Sequence, residues 1–357
     1  MKLLHVITSL YTGGAEMLIV NLIPRFVELG YEVGVVVFNG EHTPLMERLK
    51  KECPQCVIYK LGNSFYNPWY IIKLMRIMRK YDIVHTHNSS PQLFSAIANL
   101  YCQKKLVTTE HSTNNRKREQ GGLLRIVDKW MYGQYHLVIC ISVIAEKKLE
   151  DYLGCVKCHI FTINNGVDVA HFHNALPVDS LKTNKFVVVM VAGFREAKDQ
   201  DTVIRAMSLL SKEQYELWLV GNGDRRSVLE KLISELGLCD NVKLMGERTD
   251  IPNVLQTADV VVMSSHWEGL SLSNIEGMSV GKPFVASNVY GLKEVTKDYG
   301  ILFPHRDVEA LAKIISQLHE DKQFYQQIAD KCYERAKQFD ISKMVIQYNE
   351  KYLSLFE

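Results

Sequence analysis

At 357 residues, 47% hydrophobic and 23% charged, the chain has the balance of a globular protein and enough length for two packed cores. It holds no run near the ~20 apolar residues that a membrane-spanning helix needs, so any membrane contact is expected to be peripheral. The net charge of +2 hides an asymmetry: residues 1–182 carry 21 Lys+Arg against 15 Asp+Glu, and residues 183–357 carry 21 against 25. A basic first half suits an anionic partner, although scattered solvated lysines would give the same sum.

The opening "MKLLHVITSLYTGGAEML" is interrupted by Thr8, Ser9, Thr12, Gly13 and Gly14 before it reaches the apolar length of a signal peptide. The cytoplasm is therefore the expected compartment, with peripheral attachment at the inner face of the plasma membrane. The runs "LLHVIT", "EVGVVVF", "CVIYKL", "DIVHT", "KLVTT" and "LVICI" each precede a stretch with 3.6-residue apolar spacing, the pattern of buried parallel strands joined by helices. After the polar residues 173–185 the same rhythm restarts with "FVVVMVAG", "YELWLVG", "NVKLMG", "DVVVMSS" and "PFVAS". The expected organisation is α/β: one doubly wound, Rossmann-like domain over residues 1–172, a second over 186–338, and a C-terminal helix over 339–357 packing back towards the first.

In such sheets ligands bind beyond the carboxyl ends of the strands, which directs attention to the loops. Gly13 and Gly14 lie between the first strand and its helix, where exposed backbone N–H groups can approach a phosphate; a tight structural turn is the alternative. The dinucleotide pattern G-x-G-x-x-G is absent, which argues against a nicotinamide cofactor. Two CxxC pairs, Cys53/Cys56 and Cys155/Cys158, read as reduced thiols at turn-to-strand junctions, with zinc as the alternative. His85 and His87 alternate at a strand end and project to one face, consistent with packing or with substrate contact. A basic loop over residues 114–122, with Lys104, Lys105, Arg125 and Lys129, and the segment "YNPWYIIKLMRIMRKY" with Lys73, Arg76 and Arg79, are candidates for meeting a lipid surface. Core packing is the alternative for that segment.

Glu268 and Glu276 are separated by seven residues, with a helix opening near Ser271 and closing before Gly281-Lys282-Pro283. That spacing sets one carboxylate in the loop ahead of the helix and the other about one turn inside it. Between them the helix N-terminus can face an anion, so one carboxylate can accept hydrogen bonds from a sugar and the other from a ribose.

The segment "SSHWEGLSLSNIEGMSVGKPFVASNVYGLKEV" resembles the E-x7-E region of retaining glycosyltransferase family 4, the bacterial polysaccharide and glycolipid type. The resemblance extends in order through "TGGAE", "TTEHST", "INNGVD", "KDQDTVIRAM", "LVGNGDRRSVLE" and "GERTDIP". It implies the GT-B fold, two Rossmann-like domains facing across a cleft, and transfer of a sugar from a UDP- or GDP-sugar to a glycan or lipid-linked acceptor. It also implies roles for individual residues. Glu276 would bind the ribose and Glu268 the donor sugar, with Gly269, Leu270, Ser271 and Leu272 contributing backbone contacts. Lys198 would bind the diphosphate, and His111 would reach the donor sugar from the first domain. The family's usual arginine five residues before the lysine is replaced by Gly193; Arg195 is the expected substitute, if the strand extends that far. Asn165, Gly166 and Asp168 read as a structural turn. No cofactor, no metal and no nucleic-acid partner are expected. The rival readings are a non-catalytic sugar-nucleotide-binding subunit and a nucleotide-sugar epimerase of the same fold.

Overall fold

Apolar runs without polar alternation need cover on both faces, and a parallel sheet with helical crossovers supplies it. The computed structural model of the chain describes residues 1–11, 13–111, 122–154, 158–268 and 271–357. They form two compact units, one made of Met1–Asn165 with Ile341–Glu357, the other of Gly166–Asp340.

The first unit is built on a seven-stranded parallel sheet. Its strands are β1 (Lys2–Ile7), β2 (Glu32–Asn39), β3 (Val57–Gly62), β4 (Ile83–His87), β5 (Lys105–Glu110), β6 (Leu137–Cys140) and β7 (His159–Thr162). They lie in the order β3-β2-β1-β4-β5-β6-β7. Successive residues of β1 feed opposite cores: Leu3 and Ile7 pack on one face, Leu4 and Val6 on the other. The strand order reverses between β1 and β4, so the loops leaving these strands are neighbours. Asn88, at φ +70, ties them together by donating from Nδ2 to Thr8 Oγ1 at 2.9 Å. The helix Ile341–Leu353 completes this unit, its Ile341, Met344, Val345, Tyr348 and Tyr352 entering the same core as Leu3 and Phe26. Tyr31 fastens it by donating to Asn349 Oδ1 at 2.6 Å.

The second unit carries six parallel strands, β8 (Phe186–Val191), β9 (Tyr215–Val220), β10 (Val242–Gly246), β11 (Val260–Met263), β12 (Phe284–Ser287) and β13 (Ile301–Phe303). Their order is β10-β9-β8-β11-β12-β13. Here the reversal falls between β8 and β11, paired at Val188↔Val260 and Val189↔Val261. The loops following these two strands therefore emerge side by side, where such sheets bind ligands. The turn after β9 closes against the β8 loop through glycines: a Cβ on Gly221 would stand 2.2 Å from the Ala192 carbonyl oxygen, and one on Gly223 2.5 Å from that of Phe194. Among the described residues, no helix is long and apolar enough to cross a membrane.

Strand β8 ends at Val191, which corrects one expectation. Arg195 lies beyond the strand, exposed, at the N-cap of the 3-10 turn Glu196–Lys198, so two-residue alternation does not govern where its side chain points.

Candidate active site

Beyond β8 the chain passes through the turn Glu196–Lys198 into Asp199, which adopts a left-handed conformation (φ +49) before the helix Gln200–Met207. The loop after β11 laces this turn in place. Ser264 Oγ donates to the carbonyls of Asp199 at 2.6 Å and Lys198 at 3.2 Å, and the His266 backbone N–H donates to Ala197 O at 2.8 Å. The lacing brings Lys198 Nζ onto the Glu268 carboxylate. Ser265 Oγ donates to the same carboxylate oxygen at 2.6 Å. Both partners keep a solvent-facing edge, with side chains 24% and 10% exposed. An ion pair this enclosed depends on both members, since removing one leaves a poorly solvated charge without its partner.

Eight residues on from Glu268, Glu276 sits in the second turn of the helix Leu272–Ser279, whose N-cap is Ser271. Gly277 lets this helix lie directly on the sheet: a Cβ there would come within 2.7 Å of the Phe284 ring and 2.9 Å of Val261. The preceding residue, Glu276, is half-buried. Burial pushes its carboxyl from 4.5 up to about 7, and it has no hydrogen-bond or ion-pair partner among the described residues. A carboxylate held this way is an acceptor waiting for a donor, and hydroxyl groups supplied by a ligand would offset its desolvation. Gly269 and Leu270, expected to contact sugar and phosphate, lie outside the described residues. Ser271 is buried and Leu272 is half-buried.

In the first unit, Gly13 is the N-cap and Gly14 the first residue of the helix Gly14–Glu28. Glu16 stands in the same first turn, its pKa raised by burial, with one oxygen 3.5 Å from Asn88 Nδ2. An anion approaching these glycines would meet that carboxylate. His111 follows β5, and its Nε2 lies 3.0 Å from His87 Nδ1. His87 Nε2 in turn lies 3.1 Å from His5 Nδ1. His85 is held between Tyr352 OH at 2.6 Å and Thr109 Oγ1 at 2.8 Å. Burial lowers all four imidazoles, His5 to about 3 and His111 to about 4. His111 is thus a neutral hydrogen-bonding group near pH 7, with Nε2 engaged by His87 and Nδ1 without a partner among the described residues.

The pattern of the family described as "Glycosyltransferase Family 4" matches residues 12–171, and that of "Glycosyl transferases group 1" matches residues 174–339. The chain is a GT-B fold glycosyltransferase. The crystal structure of Anabaena Alr3699/HepE in complex with UDP is similar over 99% of this chain and 100% of that one, with a TM-score of 0.84 and 23% identity. The Escherichia coli UDP-Gal:alpha-D-GlcNAc-diphosphoundecaprenol alpha-1,3-galactosyltransferase is 28% identical over 277 residues, covering 71% of this chain and 70% of that protein. A Campylobacter jejuni alpha-1,4-N-acetyl-D-galactosaminyltransferase, named for a diphosphoundecaprenol-linked acceptor, is 24% identical across 96% of this chain and 95% of its own.

Of the residues named from the glycosyltransferase's sequence, the structure joins Lys198 to Glu268 directly and sets Glu276 on the helix that follows. Arg195 makes no ion pair among the described residues. Cys53 and Cys56 are buried in the turn before β3, Cys56 N–H donating to Cys53 O, while Cys155 lies outside the described residues. Sequence reasoning missed Ser265, the second anchor of Glu268. It also missed the convergence of Asp199, His266 and His305, from three separate loops, in a chain where no metal ligands were expected.

Proposed function

We propose that the protein is a retaining glycosyltransferase that moves a sugar from a UDP- or GDP-sugar to a glycan or lipid-linked acceptor in surface-polysaccharide assembly. The observation that carries this reading is the Lys198–Glu268 pair beside a helix bearing the unpartnered Glu276. Glu276 accepts hydrogen bonds from the ribose hydroxyls, and Glu268 orients the donor sugar. Lys198 offsets the charge that builds on the diphosphate as the glycosidic bond breaks. His111 donates or accepts a neutral hydrogen bond at the sugar. Because Glu268 is neutralised by Lys198 and bonded by Ser265, it is a weak nucleophile, which favours direct attack on the face from which the nucleotide leaves. In that step the acceptor oxygen bonds to the anomeric carbon, the bond to the diphosphate breaks, and the acceptor's proton passes to the leaving phosphate oxygen.

Two exposed apolar surfaces of the first unit support a lipid-linked acceptor and contact with the cytoplasmic membrane face. The helix Leu123–Tyr132 exposes Leu123, Leu124 and Ile126 beside Arg125, and the helix Trp69–Met78 exposes Trp69 and Ile72 beside Lys73 and Arg76. The test is a thermal-shift screen of the purified protein against nucleoside diphosphates and nucleotide-sugars, followed by turnover of the stabilising donor with a polyprenyl-diphosphate-linked saccharide. Stabilisation by one nucleotide class and a product of retained anomeric configuration are expected. Absence of stabilisation by every nucleotide tried would overturn the reading.

A further inference from the structure

We propose that Asp199, His266 and His305 form a binding site for one divalent transition-metal ion of the zinc class, which staples three loops at the carboxyl end of the second sheet. The three residues follow β8, β11 and β13, and their ligand atoms all lie within 4.8 Å of one another. His266 Nδ1 stands 2.8 Å from His305 Nε2 and 3.5 Å from Asp199 Oδ2. Zinc–ligand bonds of about 2.0–2.2 Å at tetrahedral angles set neighbouring ligand atoms about 3.4 Å apart, so these separations bracket what an ion would impose. Two imidazoles and a carboxylate favour zinc, cobalt or nickel over magnesium or calcium, which prefer all-oxygen sites.

The hydrogen-bond pattern points the same way. Arg306 Nη2 lies 3.3 Å from His266 Nε2, and a guanidinium only donates, so that nitrogen carries a lone pair and the ring proton sits on Nδ1. Two further lone-pair atoms, His305 Nε2 and Asp199 Oδ2, thus converge on a single proton. An ion replaces it at the centre of the three; the proton moves to His266 Nε2, and the exposed Arg306 swings away. Asp199 is held for this by Thr202, whose hydroxyl donates to Oδ2 at 2.7 Å. Arg306, next to His305, sits at φ +65, a backbone conformation a non-glycine residue keeps only where its surroundings hold it. The exposure of His305 gives an ion an entry path. The other three-imidazole group, His5, His85 and His87, is wholly buried, which closes it to an entering ion; both ring nitrogens of His85 and of His87 are already engaged, and His5 Nε2 alone has no partner among the described residues.

Asp199 is the residue after Lys198, and His266 stands two before Glu268. An ion here would fix the segments that present the Lys198–Glu268 pair without entering the chemistry, and the site stands whether or not the donor assignment does. The test uses the full-length reduced protein with Zn2+ titrated against a chromophoric chelator, and Co2+ as a spectroscopic probe. The wild type should bind one Zn2+ with a dissociation constant at or below about 10 µM, give a cobalt d–d band without thiolate charge transfer, and resist competition by millimolar Mg2+. His305→Ala changes an exposed side chain, so its fold should persist, as a melting curve in chelator verifies. In that variant Zn2+ affinity should fall at least about tenfold and the cobalt band should vanish. Equal binding by wild type and His305→Ala, or no binding by either at 100 µM Zn2+, would overturn the proposal.

Discussion

Glu276 offers a test in which stability and binding move in opposite directions. Its carboxyl is raised from 4.5 to about 7 by burial, so between these values the native state holds a proton that the unfolded chain releases. The folded state therefore loses stability as pH rises from about 4.5 to about 7, and the whole penalty is present above pH 7. At about 1.4 kcal/mol per unit the shift corresponds to roughly 3 kcal/mol, an upper figure because a neutral replacement is also desolvated. Glu276→Gln should accordingly stabilise the second unit at pH 8 by up to about 3 kcal/mol, or about 6–12 °C in its melting transition, and by little at pH 4.5. The same change should weaken nucleoside diphosphate binding about ten- to hundredfold, the worth of a charged hydrogen bond of roughly 1.5–3 kcal/mol. In the wild type, affinity should itself fall up to about tenfold between pH 8 and pH 6 as the carboxylate protonates, a step Glu276→Gln would lack. Calorimetry with UDP and GDP, beside melting curves at both pH values, covers all of this. A Glu276→Gln protein less stable than wild type at pH 8, or shifted equally at pH 8 and pH 4.5, would show that the carboxylate is not held against its hydration.

Three further outcomes follow from the geometry. Glu268→Ala frees Lys198, so nucleoside diphosphate affinity should hold or rise while turnover falls about a hundredfold or more; a parallel loss of nucleotide affinity would contradict the assigned roles. Gly277→Ala forces a methyl towards Phe284 and Val261 and should cost about 1–3 kcal/mol in urea denaturation, an effect absent if the helix can lift from the sheet freely. Sedimentation with anionic liposomes should show binding that weakens as salt rises, and replacing Leu123, Leu124 and Ile126 together by serine should reduce it; indifference to lipid charge at low salt would remove the membrane reading.

The fold was legible because its cause is local: each apolar run needs two covered faces, and only a parallel sheet with helical crossovers provides them for so many strands. The helix between Ser271 and Gly281 could be read for the same reason, from its turn residues and its spacing. Arg195 shows where local reasoning fails, because two-residue alternation holds only within a strand, and β8 ends four residues earlier at Val191. Ser265, Asp199, His266 and His305 were invisible for a different reason. Their meeting depends on which strands are neighbours, and the order β8-β11-β12-β13 is a property of the assembled sheet rather than of any segment. The raised carboxyl of Glu276 was equally hidden, since it depends on burial in the assembled unit rather than on the local sequence.

The division of the first unit between the two ends of the chain bears on how the protein is synthesised. Tyr348 and Tyr352, which close over Thr109 and His85, leave the ribosome only after all of the second unit has been made. The nascent first sheet must therefore wait with its histidine-lined core open, while the intervening unit, whose chain is continuous, can fold as soon as it emerges. Vectorial synthesis thus makes the N-terminal unit the last to finish, since its core closes only when Ile341–Leu353 docks.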